Sequence, residues 1–309
     1  MTNGETTVTV TLNKRPVTVT FTGSTTKVYD GNTNPPKGLA IAPSDGIVVA
    51  DDDVTVTADS IAYNSANVSE ANTITASGIA LSGSDADWYT LSGTEATTSG
   101  SITAADIDGT VAISGTPVCG QALTATYEGN AASVTWQWYR DGEVISGATG
   151  ETYTLTVEDV GAVITVSAIA GDKNHTGSVT SEPTTAIGPT YTVTIPEKVD
   201  LGGTVTISAS DVNVASGQQL EVAITGTSGD NDAFTLTNQE GAEITYTVTA
   251  GNDLVRLNST VLTVNGGKAN ANGETSLTFV KPDEEEIPFS GTYTGTMTFT
   301  IRTREVSGS

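Results

Sequence analysis

The sequence predicts an all-β fold built from antiparallel β-sandwich domains in tandem, arranged as an elongated array. Apolar residues alternate with threonine through most of the chain, in segments such as DVTVTA, TYTLTV and YTVTI. Alternation with a period of two is typical of strands that bury one face. Clusters of Gly, Asn, Asp and Ser interrupt these segments about every 8–12 residues, which is the turn spacing of β-sandwiches. No stretch of about 11 residues shows the apolar periodicity of a helix.

The first residues contain two predicted strands. In TTVTVTLN, Val8, Val10 and Leu12 lie on one face, and RPVTVTFTG continues the alternation. The β-branched threonine favours an extended backbone while its hydroxyl remains in water. Each segment therefore predicts a half-buried antiparallel strand.

The charge of the chain excludes several classes of function. Asp and Glu total 36 against 12 Lys and Arg, which gives a formal net charge of −24. A surface this negative repels phosphate backbones and anionic lipid headgroups, so we expect no nucleic-acid partner. No apolar run approaches the length of about 18 residues that spans a bilayer, so we expect no membrane insertion. The net charge also discourages self-association and favours a monomer.

Two short seams divide the chain into three predicted modules. SGSITAADIDGT, residues 99–110, and TTAIGPTYT, residues 184–192, each end one series of strands and begin another. The predicted domains are residues 1–104, 105–188 and 189–309, each near the usual β-sandwich size of about 100 residues. Because the seams are short, we expect a semi-rigid series of modules.

The middle module contains the densest aromatic stretch of the chain, VTWQWYRDGEVI. Strand alternation puts Trp136 and Trp138 on one face and Tyr139 on the other. We predict that Trp138 lies in the core, that Trp136 lies nearer the rim, and that Tyr139 faces out. The Asp-Gly pair predicts a tight hairpin turn. In the alternative interpretation the rings form a ligand platform, and Trp136 and Tyr139 are its residues.

Further motifs surround this aromatic stretch, with GTPVCGQALTA before it and ISGATGETYTLTVEDVGAVITV after it. Together with the Trp strand and the DG hairpin, they resemble the bacterial immunoglobulin-like repeat of cell-surface proteins over residues 106–187. The resemblance implies a tandem Ig-like sandwich in which Trp138 packs between two sheets. It puts Cys119 where the family carries a small or apolar residue, so we expect a buried and unreactive thiol. As the one cysteine, Cys119 also excludes an intrachain disulfide.

The first module carries KVYDGNTN near its start and LSGSDADWYTL near its end. This pair of motifs resembles the YDG repeat domain of bacterial adhesins, over roughly residues 15–104, and implies a surface protein. In the first motif Asp30-Gly31 predicts a turn that needs a positive φ at Gly31, with Tyr29 as its anchor. The alternative is that Tyr29 and Trp88 bind a sugar.

The third module begins with YTVTIPEKVDLGGTVTISAS and ends with PFSGTYTGTMTFTIR. The closing segment resembles the final strand of surface-protein domains from Gram-positive bacteria. The middle of the module again alternates with a period of two, so we predict a further β-sandwich.

No set of residues predicts catalysis. Nucleophilic hydrolysis by a Ser or Cys needs a His held against the nucleophile. The one His, His175, lies in GDKNHTG, where we expect a solvated loop side chain. Asp and Glu are plentiful, but nothing marks two of them as a facing pair in a cleft. We therefore expect no enzyme and no cofactor.

Calcium is the metal that the sequence leaves open. Ca²⁺ takes about six to eight oxygen ligands, often from Asp and Asn in loops. ADDDV supplies Asp51 and Asp53, and GDNDA supplies Asp230 and Asp232. Neither segment has the spacing of an EF-hand, and Asp and Asn are also ordinary turn residues.

These patterns predict a non-catalytic structural or adhesive segment of a bacterial cell-surface or secreted protein. We expect a stalk or spacer outside the cell, anchored to the cell wall through sequence outside this segment. This interpretation expects the indole rings to be buried between paired sheets. The alternative is a module that binds an extracellular glycan or a host protein, for which we expect exposed rings at Trp88, Trp136 and Tyr139.

Overall fold

The structure is a computed structural model that describes residues 7–226, 233–283, 285, 287 and 290–306. The chain forms two compact units, which are described separately. The first unit comprises Met1–Gly109, Glu128–Thr135 and Ala168–Val179, and the second comprises Thr110–Tyr127, Trp136–Ser167 and Thr180–Ser309. The division into three domains at residues 104 and 188 stays a prediction.

The first unit is made of short strands. They are β1 (Arg15–Val17), β2 (Val19–Thr22), β3 (Thr26–Val28), β4 (Ala40–Pro43), β5 (Thr55–Thr57), β6 (Ser60–Tyr63), β7 (Thr73–Ser77), β8 (Ala80–Ser82), β9 (Tyr89–Leu91), β10 (Glu95–Ser99), β11 (Ser101–Thr103), β12 (Ala105–Asp106) and β19 (His175–Thr176). A single 3₁₀ turn, Ala86–Trp88, precedes β9. Within the described residues, no helix has the length and apolar character needed to cross a bilayer.

Parallel pairs join early strands of the first unit to late ones. β1 pairs with β9, with Arg15 opposite Tyr89. β3 pairs with β11, with Thr26 opposite Ser101, and β12 pairs with β19. The sequence predicted antiparallel strands alone, and these three pairs correct that prediction. Alternation reports which face of a strand is buried, but it does not report the direction of the neighbouring strand.

Antiparallel pairs complete the first unit. They are β2 with β4, β5 with β8, and the three-stranded sheet β10-β7-β6. The buried core residues of this unit that contact one another are Leu39, Tyr63, Ala71, Ile74 and Ile102. Three of these residues come from β6, β7 and β11, so the core brings together strands that are far apart in the sequence.

Residues 7–14 do not form the strand that their alternation predicts. Val8 and Leu12 are each 77% exposed, and Val10 is 82% exposed. A strand needs a neighbour for its backbone N–H and C=O groups, and no strand of the described chain pairs with this segment. Alternation alone therefore did not produce a strand here.

Most residues of the remaining strands lie in the second unit. These strands are β13 (Gly109–Ser114), β14 (Ala122–Gly129), β15 (Val134–Arg140), β16 (Glu143–Val144), β17 (Thr152–Thr154), β18 (Ile164–Ala170), β20 (Ser178–Thr180), β21 (Thr190–Thr194), β22 (Thr204–Asn213), β23 (Gln218–Gly226), β24 (Phe234–Thr237), β25 (Glu243–Ala250), β26 (Asp253–Val255), β27 (Thr260–Asn265), β28 (Ala271–Val280) and β29 (Thr298–Glu305). A 3₁₀ turn, Val157–Asp159, follows β17. Together with the first unit, these strands confirm the all-β class.

Four sheets organise these strands. The aromatic strand β15 lies in the sheet β16-β15-β18-β20, and the second sheet of that region is β13-β14-β17. Further along the chain are the sheet β21-β22-β28-β25-β24, with β26 paired to β25, and the sheet β27-β23-β29. The last two sheets share one apolar core, because Ile207 and Leu277 of one contact the cluster that contains Val222 and Leu262 of the other.

Gly100 provides a test of the core of the first unit. A Cβ added at Gly100 would lie 2.7 Å from the side chain of Ile74 and 2.9 Å from the ring of Tyr63. We expect Gly100→Ala to lower the free energy of unfolding by about 1–3 kcal/mol, because overpacking displaces both neighbours. Urea denaturation monitored by circular dichroism measures the change.

Gly93→Ala is the matched control for that variant. Its added Cβ would meet only the Glu95 carbonyl oxygen, at 3.7 Å, and Gly93 is exposed. We expect a neutral or slightly stabilising effect of less than about 1 kcal/mol. Equal effects of the two substitutions would contradict the tight packing at Gly100.

Candidate functional site

Trp138 lies in the core, as predicted. Its side chain has no exposed surface, and its Nε1–H donates to the carbonyl oxygen of Gly150 at 2.8 Å. The ring of Tyr153 packs against the indole at a centroid distance of 5.7 Å. A buried indole needs a partner for its N–H, and the Gly150 carbonyl supplies it. Trp138 is therefore a structural residue.

Trp136 and Tyr139 are both half-buried on the same strand, β15. Tyr139 lies opposite Val144 of β16 across the hairpin. The hairpin turn is the predicted Asp-Gly pair, with φ of 48° at Asp141 and 85° at Gly142, both in the left-handed region that this turn requires. Neither ring is freely exposed, so β15 does not present the open aromatic platform of the alternative interpretation.

Trp88 is the exposed indole of the chain. Its side chain is 62% exposed, whereas the next residue, Tyr89, is only 3% exposed. The 3₁₀ turn Ala86–Trp88 leads directly into β9, where Tyr89 faces inward and its neighbour therefore faces outward. The expectation that the indole rings are buried is wrong for Trp88. Trp88 belongs to the first unit, and Trp136 and Tyr139 belong to the second.

A cleft of about 380 Å³ lies beside Trp88 in the first unit. Its lining includes Lys14, Arg15, Val49, Asp52, Trp88 and Tyr89. Arg15 is positioned by the parallel pairing of β1 with β9, which puts it opposite Tyr89. The cleft combines one flat apolar ring with charged groups of both signs.

The floor of this cleft is fixed by hydrogen bonds. The Tyr89 hydroxyl donates to the Asp52 carboxylate and accepts the Val49 backbone N–H at 3.0 Å. The hydrogen bond to the Asp52 carboxylate raises the pKa of the Tyr89 phenol above its ordinary value. Tyr89 therefore stays protonated at neutral pH and keeps Asp52 in one position.

Asp53 connects two loops of the first unit through hydrogen bonds. The Ser84 backbone N–H donates to the Asp53 carboxylate at 3.1 Å, and the Asp53 backbone N–H donates to the Asp85 carboxylate at 3.0 Å. These reciprocal bonds join the loop before β5 to the loop after β8. The Asp53 carboxylate, predicted as a calcium ligand, therefore already accepts a backbone hydrogen bond.

Of the other predicted calcium ligands, the structure describes only Asp51. Asp51 is exposed, and Asp230 and Asp232 lie outside the described residues. In the part of the chain that the structure describes, no three or more His, Cys, Asp or Glu side chains are arranged to hold a metal ion. Calcium binding stays a prediction.

The KVYDGN motif forms a loop around the ammonium group of Lys27. The Lys27 Nζ donates to the Asp30 carboxylate at 2.6 Å, to the Asn32 carbonyl oxygen at 2.9 Å and to the Asn32 side-chain oxygen at 3.1 Å. The turn has φ of 78° at Gly31, as predicted. The hydrogen bond from Lys27 lowers the pKa of the Asp30 carboxyl.

Sequence reasoning missed the role of Lys27, whose side chain is only 9% exposed. Its ammonium also lies 5.7 Å from the centre of the Tyr63 ring, a cation–π distance. The signal was present in the sequence, since Lys27 occupies the inward position of the short alternating strand TKV. The YDG motif therefore supplies hydrogen-bond acceptors to the largely buried ammonium group of Lys27.

His175 is not the solvated loop side chain that the sequence predicts. It lies in β19 with its side chain 7% exposed, and its Nδ1 lies 2.9 Å from the Asp172 carboxylate. The ring of Tyr29 meets the imidazole edge-on at 5.3 Å. The polar residues around His175 predicted a solvent-exposed side chain. The segment instead forms β19, which pairs with β12, and the ring is largely buried.

Asp172 organises the segment that contains His175. Its carboxylate accepts the backbone N–H groups of Ala132 and Asn174, both at 2.8 Å. Burial alone would raise the pKa of the Asp172 carboxyl, but the hydrogen bonds from His175 and from these two amides lower it overall.

Asp159 is a buried carboxylate that the sequence did not single out. It is fully buried, and its oxygens accept from Arg140 Nε at 2.7 Å, from the Tyr153 hydroxyl at 2.9 Å and from the Thr156 backbone N–H at 2.7 Å. The carboxylate thus joins β15, β17 and the 3₁₀ turn that follows β17. Arg140 also reaches Glu158, whose side chain is 74% exposed.

Cys119 is buried, with 6% of its surface exposed, which confirms the prediction of a buried thiol. Burial and the negative charge of Asp159 raise the pKa of this thiol. A protonated thiol is a poor nucleophile, so Cys119 is not chemically activated.

Removal of the Asp159 carboxylate tests its structural role. We expect Asp159→Ala to lower the free energy of unfolding by about 3–5 kcal/mol, because Arg140 loses its buried partner. Glu158→Ala is the control, since this exposed partner of Arg140 should contribute about 0–1 kcal/mol. Urea denaturation followed by tryptophan fluorescence measures both, and similar losses would contradict the assignment.

The lowered pKa of Asp172 predicts a pH-dependent contribution to stability. A carboxyl whose pKa is lower in the folded state stabilises fully above its unfolded pKa of about 3.9 and loses this contribution as the pH falls through the folded pKa. We expect Asp172→Asn to be less stable than the wild type at pH 7, and the difference to shrink below about pH 4.

Urea denaturation across this pH range measures that difference. Asp45→Asn, at an exposed position, is the control and should match the wild type at each pH. A destabilisation by Asp172→Asn that is the same at every pH would show that the charge of Asp172 is not what stabilises the fold.

Comparison with known proteins supports one of the three resemblances, that of the first module. A search of curated proteins finds no match to the chain. A family model described as the YDG domain matches residues 13–100. The match contains the Lys27 loop and the Trp88 cleft, as well as both motifs on which the resemblance was based. The bacterial immunoglobulin-like resemblance of the middle module stays a prediction. Residues 13–100 of this chain form a YDG domain.

Proposed function

We propose that the chain is a non-catalytic structural or adhesive segment, a stalk or spacer, of a bacterial cell-surface or secreted protein. The observation that supports this proposal is the parallel pairing of early with late strands in the first unit, β1 with β9 and β3 with β11. This arrangement is suited to bearing tension along the chain.

The geometry of the β3–β11 pair explains why this arrangement is suited to bearing tension. Tension pulls β3 toward its N-terminus and β11 toward its C-terminus, and in a parallel pair these forces are opposed along the strand axis. The hydrogen bonds across the pair are therefore loaded together. They include Ser101 N–H to the Thr25 carbonyl at 3.0 Å and Tyr29 N–H to the Thr103 carbonyl at 2.8 Å. An antiparallel pair pulled from one end instead opens one bond at a time.

The buried charged groups also support a structural role. Lys27, Asp159 and Glu221 are each held by partners within the chain, and Glu221 accepts from Arg302 at 3.1 Å and from Gln219 at 2.7 Å. Among the described residues, no buried side-chain nitrogen or oxygen lacks a hydrogen-bond partner. Buried polar groups that are hydrogen-bonded within the chain stabilise loops and strands, which supports a structural role for them over a catalytic one.

We further propose an extracellular location at the bacterial cell surface and a monomeric state. The YDG match supports the location, because the resemblance implies surface proteins. The net charge of −24 supports a monomer and disfavours nucleic-acid partners. No cofactor is required by this function.

The second candidate function is recognition of an extracellular glycan or a host protein. One observation favours it, the 62% exposure of Trp88 beside a cleft. Trp136 and Tyr139, the other proposed binding residues, are half-buried and give it less support.

Single-molecule force spectroscopy tests the load-bearing role. Handles attached through cysteines at Asn13 and Ala104, in a Cys119→Ala background, pull across the YDG domain from its ends. We expect this geometry to require several-fold more force than handles at Ser60 and Ser77, which are opposite residues of the antiparallel β6–β7 pair. The second geometry opens hydrogen bonds in succession and is the matched control, because the folded domain is the same. Equal forces in the two geometries would overturn the load-bearing proposal.

A further inference from the structure

Trp88 presents the most exposed aromatic ring among the described residues. The next is Tyr191, which is 39% exposed, against 62% for Trp88. An indole with this exposure contributes little to packing, while its flat face remains available to a ligand. Trp88 also lines the cleft of about 380 Å³, which lies within the range of about 300–1,000 Å³ that is usual for small-ligand sites.

Two cations, Lys14 and Arg15, line the same cleft. Lys14 and Arg15 are exposed, and neither forms an ion pair with any described carboxylate. The chain holds only 12 Lys and Arg residues, yet two adjacent ones face one small cleft. The Asp52 carboxylate also lines the cleft and accepts from the Tyr89 hydroxyl, and it forms no ion pair with either cation.

The geometry points to a ligand, and we propose that this cleft binds a short glycan that carries a sugar carboxylate, such as a uronic acid. The apolar face of a sugar ring packs on the Trp88 indole, and the guanidinium of Arg15 and the ammonium of Lys14 bind the carboxylate. Asp52 and the exposed Asp87 accept hydrogen bonds from sugar hydroxyl groups. This inference rests on the second candidate function, glycan recognition beside Trp88, and names its ligand class, and it is independent of the load-bearing role.

The charge of the chain narrows the ligand class. A net charge of −24 repels a polymer that carries many negative charges. Asp52 and Asp87 also line the cleft, so a ligand with a single carboxylate, placed against Lys14 and Arg15, meets less repulsion than a ligand with many negative charges. The charges elsewhere on the chain are screened by salt. The cleft therefore suits one carboxylated sugar at the end of a chain better than a sulfated or phosphorylated polymer.

Titration of the full chain with two disaccharides tests the proposal. One probe is glucuronate linked to N-acetylglucosamine, and the other is the neutral disaccharide of N-acetylglucosamine. Binding is followed by tryptophan fluorescence and by calorimetry. We expect saturable binding of the glucuronate probe, at least about tenfold tighter than that of the neutral probe, because charge-assisted hydrogen bonds are the strong ones.

Two variants and two matched controls separate the contributions of the indole ring and of the two cations to binding. Trp88→Ala should abolish binding of both probes, whereas Tyr191→Ala, which removes another exposed ring, should leave binding unchanged. Lys14→Gln with Arg15→Gln should reduce affinity for the glucuronate probe about tenfold, to the level of the neutral one. The charge-matched control is Lys198→Gln with Lys268→Gln, at exposed positions of the second unit.

Three results would overturn the proposal. They are the absence of saturable binding to either probe, binding that survives Trp88→Ala, and equal affinity for the charged and neutral probes. None of these results bears on the force measurement, so the failure of one proposal is distinguishable from the failure of the other. Circular dichroism of each variant verifies that its fold is retained.

Discussion

The first unit depends on one long-range contact, the pairing of β3 in the YDG domain with β11, which directly follows that domain. Thr26 and Ser101, which are 75 residues apart in the chain, lie opposite each other in this pair. The Tyr63 hydroxyl stabilises this strand pair, because it lies 2.8 Å from the Thr25 carbonyl oxygen and 3.2 Å from the Ser101 carbonyl oxygen. The same pairing brings Ile102 into the core. The contact between the two ends of this region, the burial of Ile102 and the proposed resistance to tension therefore depend on the same strand pair.

Buried charges hold the loops that the short strands leave between them. Lys27 fixes the YDG loop, Asp172 fixes the segment around His175, and Asp159 joins two strands to a 3₁₀ turn. Each group makes several hydrogen bonds, which offsets the cost of removing its charge from water. In a chain without a disulfide, such groups replace covalent cross-links in fixing loop conformations. Fixed loops of this kind are consistent with the proposed load-bearing role.

The tryptophans show how the two proposed functions are separated in the molecule. Trp138 is fully buried and hydrogen-bonded, so it contributes to stability alone. Trp88 lies one residue before the inward-facing Tyr89 and is turned outward, so its ring is free to recognise a ligand. The proposed load-bearing role rests on the paired strands and the proposed binding role on the cleft beside β9, so different residues carry the two proposals.

The sequence by itself determined the all-β class, the turn at Gly31 and the burial of Trp138, since these follow from local alternation and from turn residues. It did not determine the parallel strand pairs, the burial of Lys27 and His175, or the exposure of Trp88. Only the tertiary structure decided these, because each depends on which distant strand lies alongside. A period of two records that a strand has an inner and an outer face, but the partner that covers the inner face comes from elsewhere in the chain.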